Sequence, residues 1–85
     1  MSLLGIIGNV VQGYEEGKAF GQASALLSKD AATIRAEIAR RVATSSNAQL
    51  DLFDAALEKA ALHALTPWGR RHAAKVLCTF RQIRG

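Results

Sequence analysis

The chain has a single cysteine, Cys78, so no internal disulfide framework exists and a reducing compartment is expected. It has one proline, Pro67, and no stretch dense in Ser, Gly and Pro, which excludes a linker or a low-complexity tail. Aromatic residues are few, one Trp, one Tyr and three Phe, mostly at positions that read as core, so no stacking platform for single-stranded nucleic acid is evident. Long hydrophobic runs are also missing. Between Leu3 and Val11 the apolar stretch is interrupted by Gly5, Gly8 and Asn9, and Glu15, Glu16 and Lys18 follow, far short of the roughly 20 residues that cross a bilayer. No basic segment precedes that stretch and no small-residue cleavage site closes it, so no leader is expected and cytoplasmic localisation is the default.

What remains is 85 residues, 49% apolar and 21% charged, a composition too apolar for disorder and ordinary for a globular chain. A single domain over 1–85 is expected. A chain of this size buries only about 60–65% of its unfolded surface, so association with a partner is a natural source of further stability.

Periodicity predicts an all-α fold, a small bundle of about four helices without strands, at roughly 2–27, 31–43, 47–65 and 67–84. In the first, a count by fours from Gly5 meets Gly5, Asn9, Gly13, Gly17, Gly21 and Ala25, which on a helix share one face. Each glycine inside a helix costs about 1 kcal/mol relative to alanine, and close packing of another helix would offset that. The plainer expectation places that packing inside the fold, along a face of Leu3, Ile6, Val10, Gly13, Gly17, Phe20, Ser24 and Leu27. The opposing reading is a Gly-rich arm ahead of a shorter helix near 19–28. Leu3, Ile6, Ile7, Val10, Gly13, Gly17 and Gly21 form the first candidate interface, for another protein or a second copy of the chain. A membrane surface is a poorer partner for this segment, because Glu15 and Glu16 have the wrong sign for anionic lipid.

The second helix places Ala31, Ile34, Ile38 and Val42 on one face, with Arg40 opposite and Glu37 and Arg41 beside it. Ser28 or Asp30 offers its cap. Ser46 followed by Gln49 fits a capping box at the start of the third helix. That helix carries a main stripe of Leu50, Phe53, Leu57, Ala60 and Ala64 and a second apolar side of Leu52, Ala55 and Leu62, with Asp51, Asp54 and Glu58 between them. Two apolar sides mean a central position or a face turned to a partner. Thr66-Pro67 marks a boundary, Thr as cap and Pro at the first helical position. The fourth helix has a dry face of Trp68, Ala73, Val76, Leu77, Phe80 and Ile83, with Gly69 permitting close approach near its start.

Charge is uneven. Residues 1–30 carry −1, 31–45 carry +2, 46–66 carry −2 and 67–85 carry +5. Arg70, Arg71, Lys75, Arg81 and Arg84 thus form a second candidate patch, for an anionic partner or nucleic acid; pairing with Asp51, Asp54 and Glu58 is the alternative. Arg70 and Arg71 sit at a helix N-terminus, already partially positive, where an anion would favour them.

The segment Ile38-Ala39-Arg40-Arg41-Val42-Ala43-Thr44-Ser45 resembles the first helix and turn of a repressor-type helix-turn-helix. The resemblance covers about 20 residues and implies a DNA-reading helix from Ser46 to Lys59. The chain departs from that family at Ala43, where Gly is preferred, and at Thr44 and Gln49, where apolar residues are. Asp51, Asp54 and Glu58 on the implied reading helix would be repelled by phosphates. Signals for catalysis, a cofactor or a metal are lacking: His63, His72 and Cys78 have no short ligand spacing, and neither a phosphate loop nor a nucleophile with its base appears. The expectation is a non-enzymatic interaction or assembly protein, with phosphate-backbone binding through the last helix as the alternative.

Overall fold

The computed structural model describes residues 3–85, with side chains from Tyr14 onward. Four helices, α1 (Leu3–Leu27), α2 (Ala31–Thr44), α3 (Asn47–His63) and α4 (Pro67–Arg84), make up an all-α bundle, and no strand occurs among the described residues. The shortest dimension, 18 Å, is two helix layers deep. Because α1 is helical through the glycines, the Gly-rich arm with a short helix near 19–28 is not what forms.

Local chemistry explains each boundary. The last turn of α1 tightens, with the amides of Ser28 and Lys29 donating to the carbonyls of Ala25 and Leu26 at 3.3 and 3.0 Å. Asp30 is the N-cap of α2 in extended conformation, and its carboxylate accepts from the Thr33 hydroxyl. At α3 the capping box is complete: the Gln49 amide donates to Ser46 Oγ at 3.2 Å, and the Ser46 amide donates to Gln49 Oε1 at 3.0 Å. Two orphan donors are satisfied reciprocally. At α4, Thr66 Oγ1 accepts from the Gly69 amide at 3.0 Å and Pro67 takes the first turn. A methyl on Gly69 would stand 3.1 Å from Thr66 Oγ1 and 3.3 Å from the Ala64 methyl, so the helix start is tight enough to favour glycine.

The two C-terminal helices pack most extensively on each other; α1 lies against α3 and α2 against α4, while α1 and α2 touch only slightly. The core joins Leu26, Ile34, Ile38, Leu50, Phe53, Ala56, Leu57, Val76, Leu77 and Phe80, with Val42, Leu52 and Ile83 packed on its edge. Phe53 and Phe80 meet with ring centroids 5.4 Å apart at a tilt of 52°, a geometry that adds about 0.5–1.5 kcal/mol beyond area burial.

Several sequence expectations need correction. The buried face of α1 is Ala19, Ala23 and Leu26, not Gly17, Phe20 and Ser24, which lie outside. Alanine offers a methyl to bury and still permits close approach, and Leu26 follows at the same helical spacing. Trp68 is 75% exposed rather than part of the dry face; five residues from Ala73 put it roughly 140° round the helix. Leu62, expected on the second apolar side of α3, is exposed, as is Ala55, and α3 ends at His63 instead of 65 because Ala64 leaves the helix ahead of Leu65 and the Thr66-Pro67 stop. Ala31 is also exposed, in the first turn of α2.

Candidate functional site

The first candidate interface divides at Tyr14. The side chains of Leu3, Ile6, Ile7 and Val10, and the surroundings of Gly13, lie outside the described residues. Gly17 and Gly21 are described, and both are exposed; a methyl added to either would meet nothing within 4 Å. The small-residue strip therefore does not serve close packing against any described residue at those positions. Beside it a groove of about 420 Å³ runs between α1 and α3, lined by Gly17, Phe20, Leu52, Ala55 and Ala56, with Glu16 and Lys59 at its edges. Phe20 is 37% exposed, and the Lys59 ammonium stands 5.2 Å from its ring centroid. Tyr14 is exposed further along α1.

The second candidate patch is largely engaged inside the chain. Arg81 holds Asp54 through two parallel bonds of 3.0 Å and reaches Glu58 at 3.3 Å. This fork-to-carboxylate match raises the Arg81 pKa above the usual arginine value, and the charges of Asp54 and Glu58 add to the effect. Arg84 donates to Asp51 at 2.6 Å. The three acids of α3 are thus matched to the last turns of α4. Half-buried Arg70 donates to the Ala64 carbonyl at 2.7 Å, satisfying the exposed end of α3. Arg71 and Lys75 remain exposed, with no ion pair to a described residue.

The two histidines do not converge with Cys78. His72 Nε2 donates to the Leu27 carbonyl at 2.8 Å, tying α4 to the end of α1. Among the described residues no group of three His, Cys, Asp or Glu is placed to hold a metal ion, and no helix is long and apolar enough to cross a membrane.

A further site was not anticipated. Arg41, expected beside Arg40 on the outer side of α2, is partly buried over the Phe53 ring, its guanidinium carbon 4.4 Å from the centroid. Its Nη1 donates to Gln22 Oε1 at 3.2 Å, and its Nε is buried without a partner. Burial pushes the Arg41 pKa below the usual arginine value; the like charge of Arg40 adds to this and Glu37 opposes it. The spacing Ile34, Ile38, Arg41 follows the helical period, but an arginine at the end of such a stripe is ordinarily solvated, so the spacing alone did not single it out. Arg41 lines a groove of about 470 Å³ between α1 and the first turn of α3.

Compared with known proteins, the chain matches no family model, no curated protein and no solved structure. The helix-turn-helix resemblance of residues 38–45 thus has no support there, and the acids of its implied reading helix are bound by Arg81 and Arg84.

Proposed function

We propose that the protein is a non-enzymatic helical interaction or assembly module that meets another protein, or a second copy of itself, through the outward face of α1. One observation carries this reading. Gly17 and Gly21 weaken α1 by about 1 kcal/mol each relative to alanine, yet no described residue occupies the space they leave open. A helix laid on that face would use the space, and Phe20 and the α1–α3 groove supply apolar surface beside it.

Light scattering coupled to size exclusion, at low and high salt, tests the self-association form. A defined oligomer that persists in high salt is expected, and Gly17→Leu with Gly21→Leu should dissociate it while the helical content stays intact. A double variant that keeps both its fold and its assembly state refutes the glycine face as a contact. The alternative, phosphate-backbone binding by α4, has three of its five cations, Arg70, Arg71 and Lys75, without an ion pair to a described residue, so its affinity would fall with salt at a log–log slope of about −3.

A further inference from the structure

Arg41 lines the 470 Å³ groove, and its Nε is the one buried side-chain polar atom among the described residues that lacks a partner. A guanidinium carries five donors in a planar fork and does not shed its charge. Arg41 gives one donor to the neutral amide of Gln22 and its face to Phe53. No described carboxylate pairs with it. A cation drawn partly out of water, with the charge of Glu37 acting on it but no carboxylate bonded to it, is an unfavourable arrangement, and an arriving anion relieves it. Its Nη2 has no bond to a described residue, which leaves that donor for a ligand.

The surroundings favour the same sign. Lys18 and Arg41 line the groove against a single lining carboxylate, Glu15, so the charges that line it sum to a positive balance. The first turn of α3 forms another wall, and a helix N-terminus is partially positive. No acidic residue occupies that turn. Leu52 and Ala48 provide apolar surface beside these polar groups. The volume falls in the range of small-molecule sites, about 300–1,000 Å³.

We propose that this groove binds a small organic oxyanion, a carboxylate or a phosphate monoester on a compact, partly apolar body, with Arg41 and Lys18 holding the charge. This site is separate from the glycine face of α1 and stands without the assembly reading.

Titrating ¹⁵N-labelled protein with benzoate, and separately with phenyl phosphate, distinguishes the two sources of the oxyanion. At least one should give saturable shifts of the Arg41 Nε–H and of the Ser46 and Ala48 amides. Gln22→Glu installs a carboxylate where the neutral amide now stands; it should raise Tm and weaken binding at least tenfold. Arg41→Gln should abolish binding, and Arg71→Gln on α4 should leave it unchanged. Shifts that do not saturate with either compound overturn the proposal. So do saturable shifts that survive undiminished in Gln22→Glu, which decides the matter even where Arg41→Gln fails to fold.

Discussion

Leu26 in α1 and Leu57 in α3 are the same residue at the same depth, 1% and 0% exposed, but they belong to differently built parts of the molecule. Around Leu57, α3 and α4 contribute Leu50, Phe53, Ala56, Val76, Leu77 and Phe80 to the core, and three acids on one helix meet two arginines on the other. Around Leu26, the described part of α1 offers only Ala19 and Ala23 as further buried residues, while its opposite face leaves Gly17 and Gly21 bare. One region is organised to hold itself together. The other, over its described residues, is attached by a narrower seam and leaves a glycine face bare.

Leucine truncation should widen that contrast. Leu57→Ala is expected to remove about 2–5 kcal/mol from a total on the order of 4–13 kcal/mol for a chain of this length, exposing all four helices to amide exchange. Leu26→Ala should raise exchange in residues 19–27 well before it does so in α3 and α4. Equal loss of protection throughout both variants would erase the distinction between seam and centre.

A smaller effect of opposite sign is expected on the bare face. Gly17→Ala and Gly21→Ala, measured by denaturation at dilutions where the protein is monomeric, should each stabilise by about 0.8–1 kcal/mol, since an added methyl meets no neighbour. No gain from either would mean that the face is already occupied within a single chain.

The smallest effect concerns the α1–α2 corner, where Lys29 Nζ meets Glu37 Oε1 at 2.5 Å. Its bond to Lys29, foremost, holds the Glu37 carboxyl below its ordinary pKa, with the charges of Lys29, Arg40 and Arg41 contributing. A lowered folded pKa means that this contribution is present above the unfolded value, about 4.3, and is lost as pH falls through the folded one. Glu37→Gln should therefore flatten the stability profile slightly below about pH 4.3, less so at high salt because the pair is exposed. An identical acid profile in wild type and variant would remove the pair from the account.

Where a signal was local, it could be read from the chain alone. Ser46 with Gln49 and Thr66 with Pro67 each act over three residues, and both caps form as their chemistry requires. The stripe of Leu50, Phe53 and Leu57 was legible because large side chains recur at helical spacing against charged neighbours. In α1 the pattern misled: glycine and alanine differ by one methyl, so a face of small residues carries little amphipathic contrast to say which side turns inward. The pairing of Arg81 and Arg84 with α3 was legible as an alternative, since the charges of the two helices are opposite. The burial of Arg41 was not, because a residue type usually solvated here extends an apolar stripe and covers Phe53 with its planar cation.

The order of packing has a consequence for how the chain is made. Helix α1 finds its main neighbour in α3 and α2 finds its own in α4, while the two first-made helices barely touch. The described residues of α1 and α2 thus emerge from the ribosome without a core shared between them. At ordinary translation speeds of about 5–20 residues per second, the roughly 40 residues that separate the end of α2 from the end of α4 take some 2–8 s to add. Throughout that interval Leu26, Ile34 and Ile38 are nascent apolar surface awaiting partners not yet synthesised, so folding of this molecule is gated by the completion of its last helix.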